Sequence, residues 1–339
     1  MAILVTGGLG YIGSHTTVEL LREGFDVIIV DNLSNTRIEV LDGIEKISGK
    51  RPPFIQLDLK DKQAVAAFFA TQDNIDAVIH FAASKAVGES VENPLYYYEN
   101  NINSLVYLLQ ELTKKPGVKF IFSSSCTVYG QSETMPIMET AAIQPAISPY
   151  GNTKQIGEEI IHETANVTDL NAILLRYFNP IGAHETAEIG ELPIGVPQNL
   201  VPFITQTVAG IRQELSVFGS DYPTPDGTAI RDYIHVVDLA LAHVCAMKRL
   251  LNSQNAEKVE VFNIGTGTGS SVLEVIQAFE AATGLKVPYK LAPRRPGDVI
   301  SAYADTQKAN RVLGWTAQFN LQDSLADSWR WEKKLRNLT

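Results

Sequence analysis

Cysteine is nearly absent: Cys126 and Cys245 are the two in 339 residues, with no paired or clustered spacing. A disulfide framework or zinc site is therefore not expected, no metal is expected, and a reducing, cytoplasmic setting fits. Basic charge is also scarce, with 28 Lys and Arg against 38 Asp and Glu and a formal net charge of −10. That balance argues against nucleic acid or an anionic membrane as a partner, while a local cationic pocket for a small phosphorylated ligand stays open. No apolar run is long enough to span a bilayer. Met1 leads straight into Ile3-Leu4-Val5 without a basic and long apolar leader pattern, so no secretory signal is expected. Internal repeats and low-complexity segments are missing too.

What is present is an ordinary globular composition, 45% hydrophobic and 19% charged, able to bury a substantial core. The first half alternates short β-rich runs with amphipathic stretches. Candidate strands are Ile3–Val5, Asp26–Val30, Phe54–Leu57, Ala77–Phe81, Phe120–Ser123 and Ala172–Arg176. Candidate helices between them are Thr16–Arg22, Lys62–Phe69, Leu105–Thr113 and Lys154–Glu163. Apolar strands alternating with helices predict a parallel sheet covered on both faces, and right-handed connections favour a doubly wound, Rossmann-type α/β fold. After Asn179-Pro180 the pattern changes. Gly182–Pro202 is rich in Gly, Pro and acids and Asp221–Gly227 in turn residues, which reads as loops around a ligand. Helices resume at Val236–Leu250, Val272–Ala282 and Leu321–Trp331.

Val5-Thr6-Gly7-Gly8-Leu9-Gly10-Tyr11-Ile12-Gly13 lies between the first strand and the first helix. Glycines there permit a tight turn, close backbone approach to a pyrophosphate and close helix–strand packing. The helix N-terminus offers unpaired N–H groups and its positive end to phosphates. Asp31 closes the second strand, near the expected spacing of about 20 residues beyond the glycines. A carboxylate there accepts a ribose 2′-OH and repels a 2′-phosphate, which favours NAD over NADP.

Tyr150 and Lys154 stand one helical turn apart, behind Ser148-Pro149, a sequence suited to an N-cap and first helical position. Of the twelve tyrosines only Tyr150 has Lys four residues on. A phenol titrates near pH ~10, too high for a base at neutral pH. A neighbouring ammonium, aided by an oxidised nicotinamide, is expected to lower that value. The pair follows Phe122-Ser123-Ser124-Ser125 at the end of a strand, where open α/β sheets bind ligands.

With these residues assembled, the chain resembles the extended short-chain dehydrogenase/reductase superfamily and, within it, the UDP-glucose 4-epimerase family. The resemblance covers essentially the whole chain. It rests on TGGLGYIGSH (Thr6–His15), DNLSN (Asp31–Asn35), HFAASKAVGES (His80–Ser90), FSSSCTVYG (Phe122–Gly130), SPYGNTK (Ser148–Lys154), LLRYFNPIGAH (Leu174–His184), RDYIHV (Arg231–Val236) and APRRPGD (Ala292–Asp298). It implies an NAD-dependent isomerase of galactose metabolism, commonly a homodimer pairing helices around Leu105–Thr113 and Lys154–Thr164. It implies that UDP-galactose and UDP-glucose interconvert by transient oxidation at C4 to a 4-keto sugar on tightly held NAD.

By the same resemblance Tyr150 is the general acid/base, Lys154 binds the nicotinamide ribose and tunes Tyr150, and Ser125 bonds the sugar O4. Gly7, Gly10, Tyr11, Ile12 and Gly13 would hold the pyrophosphate region. Asp31, Asn32, Leu33, Ser34, Asn35, Asp58 and Leu59 would hold adenosine. Phe81, Ala82, Ala83, Lys85, Asn100 and Phe178 would complete the cofactor site. Lys85, Asn179, Asn199, Leu200, Phe218, Arg231, Tyr233, Arg295, Asp298 and Ala302 would meet the UDP-sugar, the arginines as bidentate partners of a diphosphate. Residues 1–180 with about 235–265 would bind NAD. Residues 181–234 and 266–339 would form a smaller C-terminal α/β domain for the UDP-sugar.

Three positions depart from the usual family pattern. Ala83 replaces a common Gly, Cys126 a common Ala, and Ala302 stands where members restricted to plain hexoses resemble one another in having Tyr. The small Ala302 is expected to admit an N-acetyl group, so that UDP-GlcNAc and UDP-GalNAc also react, whereas Ala83 works against this by narrowing the pocket. Cys126 is expected to pack as a small hydrophobe. Nucleotide-sugar 4,6-dehydratases need an acid/base pair after the Ser/Thr, where this chain has Cys126-Thr127. UDP-pentose epimerisation and a dehydrogenase with exchanging NAD remain rival readings. A non-catalytic NAD sensor would be expected to have lost the Tyr/Lys pair or the arginines.

Overall fold

The computed structural model describes residues 1–72, 74–295 and 297–338. Its strands, in chain order, are β1 Ala2–Thr6, β2 Asp26–Asp31, β3 Phe54–Gln56, β4 Ile75–His80, β5 Lys119–Ser123, β6 Asn171–Tyr177, β7 Asn179–Ile181, β8 Leu215–Phe218, β9 Ile230–His235, β10 Val259–Ile264, β11 Gly269–Ser271, β12 Tyr289–Ala292 and β13 Ser301–Ala302. Seven of them form one sheet in the order β10-β6-β5-β4-β1-β2-β3, and every pairing in it is parallel. This is the doubly wound α/β fold expected. The apolar run of β1 is buried along its whole length because helices cover both of its sides.

One face packs into a core with Val18, Leu20, Leu41, Ile44, Leu239 and Leu250, from the helices Tyr11–Arg22, Val40–Ser48 and Val236–Leu251. The opposite face packs against Val65, Phe68, Leu105, Leu108 and Ile161, from Lys62–Thr71, Ser104–Leu112 and Pro149–Val167. The order reverses between β1 and β4, whose connections run to opposite sides and leave a crevice beyond the strand ends.

The seventh strand, β10, was not visible as an apolar run because Glu260 and Asn263 interrupt it. Each polar side chain has a partner: Glu260 accepts from Arg249 at 2.7 and 2.9 Å, and Asn263 accepts from the buried Tyr129 hydroxyl at 2.6 Å. The segment expected to be loop over Gly182–Pro202 ends slightly early, since a helix spans Leu200–Val208. Pro202 is tolerated in its first turn, where an N–H has no intrahelical acceptor. Beyond the main sheet, β9 pairs with β7, β11 and β13, and β8 pairs with β12. A core of Ile204, Leu215, Val217, Val275, Phe279 and Leu325 lies beneath these smaller sheets.

Candidate active site

The carboxyl ends of the parallel strands border a cavity of about 1570 Å³. It gathers every candidate site residue named from the sequence except Leu33. Leu33 turns its side chain to the core, in a backbone conformation with φ of 61°, and its N–H donates to Asp31 Oδ1 at 2.9 Å. Its contribution is to shape the turn that presents Asp31.

The glycine loop is packed too closely for side chains. A Cβ on Gly13 would lie 2.2 Å from the Gly7 carbonyl oxygen, and one on Gly7 would lie 2.8 Å from the Ala82 nitrogen. Gly10 caps the helix Tyr11–Arg22 without any side-chain bond, so the first N–H groups stay open toward the cavity. Asp31 is buried and accepts one backbone N–H on each oxygen, from Leu33 and from Leu9 at 3.3 Å. Burial raises its carboxyl pKa and those N–H bonds oppose the rise. Each oxygen keeps further acceptor capacity for hydroxyls. A glycine cradle, an uncapped helix start and an acceptor carboxylate at the second strand's end suit a dinucleotide such as NAD.

Tyr150 sits in the first turn of the helix Pro149–Val167, where Ser148 Oγ accepts the Gly151 N–H at 3.1 Å and Pro149 occupies the first position. Lys154 follows on the same face, its Nζ 5.9 Å from the centre of the Tyr150 ring and 4.8 Å from that of Phe122. The ammonium donates to the Ser123 carbonyl at 2.8 Å, so helix and strand end are tied together. Both side chains are buried. Burial pushes Lys154 down to about 8, with Glu158 opposing. Burial also holds the Tyr150 phenol well above its ordinary value, opposed by a bond with Ser125. Loss of water on burial disfavours the phenolate.

Behind this pair lies a buried network that sequence patterning missed. Arg176 binds Glu158 through Nε at 2.9 Å and Nη2 at 2.5 Å. Ser124 Oγ donates to Glu158 at 2.5 Å, and Arg176 Nη1 donates to the Tyr129 hydroxyl at 3.0 Å. The turn carrying Ser125 is thus locked to the helix carrying Lys154. His80 was also missed; its Nδ1 bonds Thr6 Oγ1 at 2.8 Å, and its ring lies between Phe120 and Phe122. A single His inside an apolar strand carries no periodic signal, and Glu158 beside Glu159 reads as an ordinary solvated helix face.

Across the cavity, Arg295 binds Asp298 at 2.9 and 3.2 Å and lies over the Phe218 ring, with Arg231 3.9 Å from the same carboxylate. Arg231 is held on β9 by its neighbour Asp232, fully buried, which accepts from Thr266, Gly267 and Ala304. Ala302 faces Arg231 in the β13–β9 register, and Asn179 faces Tyr233 between β7 and β9. Cys126 packs in a cluster with Phe178, Ile137 and Ala302, and burial pushes its thiol up to about 11. A neutral, packed thiol fits the small-hydrophobe reading.

The family described as GDP-mannose 4,6 dehydratase matches residues 4–328. The UDP-glucose 4-epimerase of Bacillus subtilis is 52% identical over 335 residues, covering 98% of this chain and 97% of that one. A UDP-glucose-4-epimerase from Stenotrophomonas maltophila, solved with bound NAD and formylated UDP-arabinopyranose, has 47% identity and a TM-score of 0.95, with both chains covered completely. The Bifidobacterium longum UDP-glucose 4-epimerase in complex with NAD+ and UDP has 46% identity, a TM-score of 0.95 and the same coverage.

Proposed function

The chain belongs to the UDP-glucose 4-epimerase family, within the broader family described as GDP-mannose 4,6 dehydratase, and we propose that it interconverts UDP-galactose and UDP-glucose on tightly bound NAD. The observation that carries this reading is one cavity containing a glycine cradle, the Tyr150–Lys154 pair and the Arg231–Arg295 pair. NAD when bound supplies a reversible oxidant for the sugar's C4. Gly7, Gly10, Gly13, Asp31, Lys85 and Lys154 would hold it.

Tyr150 is the group that accepts and returns the C4 hydroxyl proton, with Ser125 beside it to bond O4. Burial disfavours its phenolate, and the positive charges of Lys154 and of an oxidised nicotinamide would favour it. Arg231 and Arg295 anchor the diphosphate through charge-assisted bonds. Holding the remote UDP firmly and the hexose loosely lets the oxidised sugar turn over and accept reduction on its other face. Dehydratase chemistry finds no support, since Cys126 and Thr127 offer no acid/base pair where elimination would need one.

Finer features complete the proposal. Residues 1–180 with about 235–265 serve NAD, and 181–234 with 266–339 serve the UDP-sugar; β10 pairing with β6 supports this division. The chain works in the cytoplasm as a homodimer. Cys126 and Cys245 are both free, and Val91, Leu95 and Tyr96 stand exposed on helices that pack against Pro149–Val167. None of the helices among the described residues is long and apolar enough to cross a membrane. Ala302, small and at the cavity wall, favours acceptance of UDP-GalNAc as well.

Incubating purified protein with UDP-galactose and no added NAD tests the reading. UDP-glucose should form, and gel filtration should leave NAD on the protein. No conversion even with NAD supplied would refute hexose epimerisation.

A further inference from the structure

We propose that Glu191 is a positioning residue that couples the grip on the cofactor to the grip on the sugar nucleotide; the inference rests on the function proposed above. Glu191 lies in the irregular segment between β7 and the helix Leu200–Val208. Its backbone is fixed from behind. The Trp331 indole N–H donates to the Glu191 carbonyl at 2.9 Å, and Gly190 lies so close to that ring that a Cβ would meet it at 2.5 Å. The C-terminal helix Leu321–Arg336 therefore sets where the carboxylate points.

One carboxylate oxygen, Oε1, accepts from two groups on different sides of the cavity. Lys85 Nζ, on the loop after β4, lies 3.2 Å away and also sits 5.8 Å from the centre of the Tyr11 ring in the glycine turn. Asn199 Nδ2 lies 2.6 Å away, at the N-cap of Leu200–Val208. An N-cap Asn ordinarily turns its oxygen back onto the first turn. Here the amide is drawn toward Glu191 and that helix start has no side-chain cap. Lys85 belongs to both the proposed cofactor site and the proposed UDP-sugar site, whereas Asn199 and Leu200 belong to the UDP-sugar site alone. The side chain of Glu191 is only 13% exposed, against 44% for Lys85, so the acid is the fixed member and the lysine is held by it. Freezing a long lysine before the ligand arrives removes an ordering cost from binding.

Two substitutions separate this role from a merely structural one. Gln in place of Glu191 keeps an oxygen for Asn199 but loses the charge that draws Lys85. Glu191→Gln should hold NAD about tenfold less well through gel filtration, while its Kd for UDP, read by calorimetry, rises by no more than about threefold because Asn199 keeps its acceptor. Glu191→Ala should lose about tenfold on both readouts. Unchanged NAD content and UDP affinity in both variants would overturn the proposal. So would equal losses in both that track a lowered melting temperature, since a structural defect does not distinguish Gln from Ala. A wild-type protein that neither retains NAD nor converts UDP-galactose would remove the functional reading, and the inference with it.

Discussion

Tyr150 and Lys154 share one physical problem. Burial disfavours the charged form of each, so the phenol moves up and the ammonium moves down, to about 8 for Lys154. Their spacing and their helix were legible in the sequence, because Tyr and Lys four apart behind Ser-Pro share a face. Their protonation was not, because desolvation depends on how completely the surrounding chain excludes water. Tyr150→Phe removes only the hydroxyl from a buried ring. Turnover of UDP-galactose should fall by roughly 10²–10⁴ with NAD content unchanged, the range general acid–base groups supply; retained turnover would assign the proton to another group. Ala302 is a second residue-scale test. Ala302→Tyr should depress kcat/KM for UDP-GalNAc about a hundredfold while changing that for UDP-galactose only a few-fold, because added bulk rejects the larger C2 substituent. Equal losses on both sugars would place Ala302 away from C2.

The helix Pro149–Val167 shows what an element adds to its residues. Ser148 supplies the cap, Pro149 fits the first position, and Gly157 allows contact so close that a Cβ would meet the Phe122 ring at 2.9 Å. Cap and proline were readable as a start signal; the role of Gly157 was not, since it depends on the strand lying beneath. The same limit hid β10, whose Glu260 and Asn263 make sense only beside Arg249 and Tyr129. Glu191 was hidden more deeply, in an irregular segment with no period to read. Since Tyr150 lies in the capped turn, Ser148→Ala tests whether the cap positions it. The substitution should cost about 1 kcal/mol of stability and lower kcat more than it raises KM. A loss of stability with kcat intact would show that the first turn holds Tyr150 without its cap.

At the scale of the whole molecule, the doubly wound fold buries histidines and so disfavours their charged form. His15 and His80 are pushed down to about 3 and His243 to about 4, chiefly by burial. In the unfolded chain these rings titrate near pH ~6.5. Between that pH and the folded values the unfolded state binds more protons, so stability falls as pH drops through the window. The slope is roughly 1.4 kcal/mol per pH unit for each histidine that differs fully. His243 isolates one share of it. Its Nδ1 bonds the Leu239 carbonyl at 2.8 Å on its own helix, its ring packs on Phe81 at 4.7 Å, and Nε2 has no partner among the described residues. His243→Leu keeps an apolar body of similar size and removes the proton site. The variant should therefore gain on wild type as pH falls from 7 to 5, by roughly 1–2 kcal/mol. Melting temperatures of both proteins across that range measure the difference, and parallel curves would mean that His243 takes up its proton in the folded chain.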